Sequence, residues 1–313
     1  MNATLPALDE IHHSYKNMVA RFDSAQGIMW TYFNTRPRPC VTSDLLQEYL
    51  ECQRLVTQVG RASLEAGNDC PIRFLVLASK TPGIYSLGGD LQLFKQCVQT
   101  RDRDSLRQYA SACIEALHLM ANNLFLPLTT ISLAQGDALG GGFEAALSCS
   151  VIIAEKRARF GFPEVLFNLF PGMGAYSFLA RRIGAVKAER IILSGSIYTA
   201  EHLHDMGVID ILVDDGGGEG AVHTYVEKSK RRPNAYDSVY RARQRYHSVT
   251  SDELMDIADI WVDAAMRLRA SDLRIMEMLV KSQDRLHISG LTPIRPFGER
   301  AVLVSPDLWS KKT

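Results

Sequence analysis

Apolar and polar side chains alternate at residues 18–22 and again at 28–33, on either side of the turn-prone Asp23-Ser24-Ala25-Gln26-Gly27, which predicts an opening β-hairpin. Thr42 and Ser43 then offer N-caps to a helix running to about Leu64. The next run, 72–78 (IRFLVLA), is apolar without interruption, as expected of a strand covered on both faces. Helices are predicted at about 90–97 and 102–123, and further buried strands at 129–134, 151–154 and 208–213. Strands that alternate with helices, too far apart for hairpins, predict parallel βαβ units and an α/β core.

From about Pro233 the pattern is helical throughout. Residues 252–268 set Leu254, Ile257, Ala258, Trp261, Ala264, Ala265 and Leu268 at helical spacing, one apolar stripe that must bury against the core or a neighbouring subunit. Beyond about Arg285 no period is visible among Gly290, Pro293, Pro296 and Gly298, so a disordered tail is expected there. The organisation read from these shifts is an α/β core over 1–230, a helical region over 231–284 serving trimer formation or the pocket, and a tail over 285–313. Gly216-Gly217-Gly218 reads as a flexible connection, since neither GK[ST] nor GxGxxG follows it.

The chain has 313 residues, with 35 basic and 35 acidic side chains that cancel. That balance lacks the electrostatic footprint of a nucleic-acid binder. Six cysteines occur without a CxxC pair and several lie in apolar stretches, which reads as reduced, cytoplasmic packing residues. No apolar run approaches the roughly 18 residues of a membrane span, and the N-terminus has no basic start followed by an apolar core, so neither membrane insertion nor export is expected.

The densest chemistry lies in 131–174. A β-branched apolar run ends at Gly140-Gly141-Gly142 and passes into a helix with Glu144 on its first turn; Glu164 follows in Gly161-Phe162-Pro163-Glu164. Glycines let backbone N–H groups approach a ligand, and a helix N-terminus adds unpaired amides and a positive dipole end. A second glycine loop, TPGIYSLGGD, follows the 72–78 strand. Gly88 and Gly89 can supply one amide and Gly141 another, two donors for a single oxyanion. Taken singly, each loop is also what a tight strand-to-helix turn requires; the pair together with Glu144 favours the anion cradle. Glu144 lies among Phe143, Ala145, Ala146 and Leu147, and Glu164 precedes Val165, Leu166 and Phe167. Such surroundings raise a carboxyl pKa toward acid–base use, against the plainer reading of two acids in helix first turns. Asp90 reads as an N-cap. His12-His13 and His202/His204 lack the i, i+4 spacing of a helical metal pair, so no metal site is expected. No GxSxG surrounds Ser148, Cys149 or Ser196, which disfavours an acyl-enzyme. Trp261 reads as core, or as a pocket wall for an acyl tail.

SLGGDL at 86–91, QGDALGGGFEAAL at 135–147, GFPEV at 161–165, PGMG at 171–174 and LSGSIYTAEHLHDMGVID at 193–210 resemble, in this order, the crotonase (enoyl-CoA hydratase/isomerase) superfamily over most of residues 15–280. The resemblance implies a spiral of repeated ββα units with a C-terminal helical region. SLGGDLQLF and GFPEVLFNLFPGMGAYSF look like the diffusible signal factor synthases, bacterial enzymes that make cis-2-unsaturated fatty acid messengers for quorum sensing. Generic hydratases commonly carry Gly-Thr-Gln-Arg where this chain has Ala175-Tyr176-Ser177-Phe178. Carried over, the resemblance makes Glu144 and Glu164 the catalytic carboxylates and Gly89 and Gly141 the oxyanion-hole donors, with Leu87, Gly88, Gly140 and Trp261 around the substrate. It implies a 3-hydroxyacyl thioester on acyl carrier protein as substrate, or an acyl-CoA, no cofactor, a trimer or dimer of trimers, and a sensor-kinase regulator. The alternatives are an enoyl-CoA hydratase or isomerase of fatty-acid metabolism, and a non-catalytic protein of this fold that binds acyl carriers.

Overall fold

Strands covered on both faces organise the molecule, a computed structural model that describes residues 15–289. The main sheet has six strands in the order β1-β2-β3-β5-β7-β10. Strands β1 (Met18–Asp23) and β2 (Ile28–Phe33) form the expected antiparallel hairpin, Met18 opposite Phe33. Strands β3 (Phe74–Ser79), β5 (Thr129–Ala134), β7 (Val151–Glu155) and β10 (Ile211–Val213) continue the sheet in parallel. Alternate residues serve two cores, which is why the sequence shows unbroken apolar runs. Leu75 and Leu77 of β3 face the larger core, whereas Phe74, Val76 and Ala78 face a smaller one, shared with Trp30, Ile131, Val222 and Val226.

A second sheet, absent from the sequence expectations, has the order β4-β6-β8-β9. Its strands β4 (Ile84–Ser86), β6 (Asp137–Leu139), β8 (Arg159–Gly161) and β9 (Ile197–Thr199) have three residues each. β4, β6 and β8 each follow a main-sheet strand after a tight turn, so the chain climbs in ββα steps, the spiral the resemblance implied. Because β4, β6 and β8 are parallel neighbours, the segments leaving their C-terminal ends come together. The glycine loops therefore leave these short strands, one element later than the main-sheet strands expected to deliver them.

Helix α1 (Ser43–Glu65) starts where Thr42 accepts a hydrogen bond from the Leu45 amide at 3.2 Å. Thr42→Ala removes that cap and is expected to lower stability by about 1 kcal/mol, read as a shift in urea midpoint at constant slope. Helices α2 (Leu91–Thr100) and α3 (Arg103–Ala121) follow β4 and share the core of α1, and the short α4 (Gly141–Leu147) follows β6. Past Pro163–Phe167, a 3₁₀ turn, come α5 (Ala175–Ile183), α6 (Ala185–Ser194) and α7 (Ala200–Asp205).

The strand expected from 208 begins only at Ile211. Gly207, at φ +81°, closes α7 in a left-handed turn whose Val208 amide donates to the Leu203 carbonyl at 2.8 Å, so Val208 belongs to the helix cap. Gly216-Gly217-Gly218 is likewise no slack connection: Gly218 is buried, begins α8 (Gly218–Arg231), and its amide donates to the buried Glu155 carboxylate at 3.3 Å. Three helices follow, α9 (Pro233–Tyr246), α10 (Ser251–Ala265) and α11 (Ala270–Ser289). The apolar stripe is consumed within the chain, since Leu254, Ala258, Trp261 and Ala265 enter the larger core with Leu106, Ala110 and Ile114 of α3. All six cysteines are buried and none forms a disulfide. No helix among the described residues is long and apolar enough to cross a membrane. His12-His13 and the tail from residue 290 onward lie outside the described residues.

Candidate active site

Three turns meet at the ends of β4, β6 and β8. The first is Leu87-Gly88-Gly89-Asp90. It is laddered to the preceding loop, with the Leu87 amide donating to the Pro39 carbonyl and the Val41 amide to the Gly88 carbonyl, both at 2.8 Å. Gly88 sits at φ +93°, where a side chain would also press within 2.8 Å of the Leu139 carbonyl oxygen of the second turn. Asp90 caps α2 as expected, accepting from the Gln92 and Leu93 amides at 3.1 and 3.2 Å. The second turn, Gly140-Gly141-Gly142, begins α4. A Cβ on Gly141 would lie 3.3 Å from the Gly89 nitrogen, so the two glycine loops face each other backbone to backbone. Neither the Gly89 nor the Gly141 amide donates to a protein acceptor among the described residues.

Both candidate carboxylates border this pair. Glu144, on α4, is buried, and its Oε1 accepts from the Met173 and Ala175 amides at 2.7 and 3.0 Å. Burial nevertheless dominates those two amides and pushes its carboxyl up from 4.5 to about 7. Glu164, in the 3₁₀ turn, is half-buried as a whole residue, yet its carboxyl group is enclosed: Oε2 is shut off from solvent and has no hydrogen-bond partner among the described residues. Burial first, and then the nearby charge of Glu144, push it up to about 8. Its Oε1 lies against Gly140, where an added Cβ would come within 2.4 Å of it. Two interacting buried carboxyls titrate as a pair, which keeps one proton between them near neutral pH.

Trp261 of α10 is buried between Phe94 and Gly172. Its ring packs edge-on against Phe94 of α2 at 5.0 Å, and a Cβ on Gly172 would strike Trp261 Cγ at 2.2 Å. Gly172 precedes Met173, whose amide holds Glu144, and a Cβ on Gly89 would meet Phe94 at 2.5 Å. Trp261 thus spans the gap between the Glu144 clamp and the first glycine turn. Leu87 is buried beside the same turn.

Of the residues carried over as site candidates, Leu87, Gly88, Gly89, Gly140, Gly141, Glu144 and Glu164 lie on these turns or on the helix they begin, and Trp261 packs against Phe94 and Gly172 beside them. What sequence reasoning missed is the clamp on Glu144: PGMG was noted as a motif without a task, and backbone amides carry no residue-type signal. It also missed Tyr109, whose hydroxyl donates to the Val41 carbonyl at 2.6 Å behind the first turn. No group of three or more His, Cys, Asp or Glu is placed to hold a metal among the described residues.

A ββα spiral with two free amides beside a carboxyl pair defines a crotonase-type α/β protein. The chain belongs to the enoyl-CoA hydratase/isomerase family, whose family model matches residues 51–253. Among relatives, the enoyl-CoA isomerase/hydratase fer4 of Mycosarcoma maydis is 30% identical over 195 residues, which is 60% of this chain and 67% of that protein. Human mitochondrial methylglutaconyl-CoA hydratase is 28% identical over 170 residues, 54% of this chain and 48% of its own length. The alpha subunit of the fatty acid oxidation complex of Vibrio campbellii is also 28% identical, but this chain spans only 22% of it. Pseudomonas aeruginosa DspI superposes with a TM-score of 0.61 at 25% identity, covering 80% of this chain and 96% of DspI. An enoyl-CoA hydratase/isomerase from Xanthobacter autotrophicus Py2 superposes with a TM-score of 0.70 at 18% identity over 90% of this chain and 100% of that chain, a likeness of fold.

Proposed function

We propose that the chain is a synthase of a cis-2-unsaturated fatty acid signal, which dehydrates a 3-hydroxyacyl thioester on acyl carrier protein and then hydrolyses the enoyl thioester. The observation that carries this reading is the enclosed Glu164 carboxyl oxygen, unpartnered among the described residues and near enough to feel the charge of Glu144, beside two amides that have no acceptor among the described residues. The Gly89 and Gly141 amides hold the thioester oxygen as negative charge develops on it. One glutamate removes the α-proton, and the electrons of that C–H bond form the double bond. The other glutamate protonates the β-hydroxyl, the C–O bond breaks, and water leaves. In the second step a water molecule, deprotonated by a carboxylate, adds to the same carbonyl; the tetrahedral oxyanion rests on the same amides, and the C–S bond breaks to give free acid and carrier thiol.

The carrier-protein and signal-synthase wording rests on SLGGDLQLF and on Ala175-Tyr176-Ser177-Phe178. Leu166, Val186, Leu193 and Ile197 are exposed apolar residues in the segment from the 3₁₀ turn to β9, and a trimeric assembly would be a means of covering them. The family match, with relatives named for CoA substrates, favours a second reading: hydration or isomerisation of an enoyl-CoA by the same pair. Mass spectrometry separates the two. With a medium-chain 3-hydroxyacyl carrier protein, the first reading expects a free cis-2-enoic acid. Unchanged carrier substrate, with rapid hydration of crotonyl-CoA and no free acid, overturns it in favour of the second.

A further inference from the structure

Behind the first glycine turn lies one buried phenol. Tyr109 projects from α3 with its ring edge-on to Phe94 at 5.3 Å, and its hydroxyl lies 3.5 Å from where a Cβ on Gly89 would be. That hydroxyl donates to the Val41 carbonyl at 2.6 Å and accepts from the Asp90 amide at 3.4 Å. Val41 in turn donates its amide to the Gly88 carbonyl, one residue ahead of the Gly89 amide, while Asp90 follows one residue after it. The peptide that carries the Gly89 N–H is therefore held from both flanks, through Val41 on one side and Asp90 on the other, and both holds converge on one oxygen atom. Asp90 is further fixed as the cap of α2. Inside the turn the Gly88 amide donates to the Ser86 hydroxyl at 3.2 Å, which leaves the next peptide to be set from outside, because glycine backbone is free to rotate and Gly88 already occupies a conformation that other residues avoid.

We propose that Tyr109 is a positioning residue for the oxyanion site: its hydroxyl ties Val41 to Asp90 and so aims the Gly89 amide at the thioester oxygen. The inference rests on the reading of Gly89 and Gly141 as the oxygen's donors. Tyr109 touches neither substrate nor the carboxyl pair and moves no proton. What it supplies is direction, to which an oxyanion donor is sensitive because its contribution falls steeply with angle and distance.

Tyr109→Phe is the test, since it keeps the ring and its contact with Phe94 and removes one oxygen. Two readouts are taken on the full-length protein. The first is the carbonyl stretching frequency of a bound ¹³C=O-labelled enoyl-CoA, by infrared difference spectroscopy. Two aimed amides pull that band to lower frequency in the parent, and the variant is expected to lose a large part of the displacement. The second is turnover: kcat is expected to fall about tenfold, less than the roughly 10²–10³ of a donor removed outright because this one is only misaimed, with KM within about twofold. A purely structural tyrosine would lower the melting temperature and leave both the band and kcat per folded molecule unchanged; that result overturns the proposal. Failure of the functional reading looks different. If the parent displaces the band but forms no product from either thioester, the chemistry assigned to the glutamates is wrong while Tyr109 is still decided by the band. If the parent itself leaves the band undisplaced, the oxyanion site and Tyr109's part in it fall together.

Discussion

Glu144→Gln and Glu164→Gln each lower the rate of thioester dehydration by about 10³, within the 10²–10⁴ range that a positioned acid or base contributes. Glutamine is the informative replacement. At 144 its amide oxygen still accepts from Met173 and Ala175, so the clamp and the fold survive, and only proton exchange is lost. At 164 the replacement keeps the shape that fits over Gly140. The two residues form one proton-sharing unit, so the double variant is expected to be little slower than the worse single one. Thioester binding, followed by the labelled carbonyl, is expected to remain in all three variants, because the Gly89 and Gly141 amides are untouched. Rates measured on 3-hydroxyacyl carrier protein and on crotonyl-CoA check the expectation for both readings of the substrate. A single variant within tenfold of the parent removes the carboxyl pair from the mechanism. Full production of signal in cells by the double variant points instead to a non-catalytic protein that binds acyl carriers.

Why these two glutamates were legible, while the framework that presents them was not, follows from what each leaves in a sequence. A carboxylate in an apolar setting stands out wherever it occurs: Phe143-Glu144-Ala145-Ala146 and Pro163-Glu164-Val165 are conflicts between side chain and surroundings. The main sheet was equally readable, because a strand such as β3 serves two cores at once and so runs apolar from Phe74 to Ala78. The second sheet left no such mark. Strands of three residues such as Ile84–Ser86 or Arg159–Gly161 complete a single alternation, too few positions for a period to show. Their consequence is nonetheless decisive, since the parallel order of β4, β6 and β8 turns three separate loops into one site. The Met173 and Ala175 amides and the Val41 carbonyl were hidden for another reason: every residue carries such groups, and only coordinates reveal which of them face a carboxylate or a phenol. Tyr109 itself lies on a predicted helix twenty positions beyond the turn it braces, and an aromatic residue there reads simply as core.

Holding two carboxyls in this enclosure has a cost that pH exposes, and Glu164→Gln is expected to make the protein more stable than its parent in alkaline solution. In the folded chain the carboxyls of Glu144 and Glu164 hold their protons up to about 7 and about 8, against 4.5 for an ordinary glutamate. Between those limits the folded state binds more protons than the unfolded one. Stability is therefore highest below about pH 4.5 as far as this pair is concerned, declines as pH rises from there through the folded values of about 7 and about 8, and levels off above them. Other acids carry the opposite slope: the Arg181 guanidinium and the Ser177 hydroxyl offset burial and hold Glu253 below its usual range, which adds stability above the unfolded value and loses it in acid. Their contribution cancels when parent and variant are compared at the same pH. Urea midpoints between pH 4.5 and 9 should thus converge at the acid end and separate by a few kcal/mol above pH 8, with Glu164→Gln the more stable. Glutamine needs no ionisation to sit in the enclosure, so the alkaline penalty disappears with the carboxylate. Parallel profiles across the whole range would mean that Glu164 ionises in the folded protein as easily as in water, and with that the enclosed proton on which the dehydration chemistry depends would be gone.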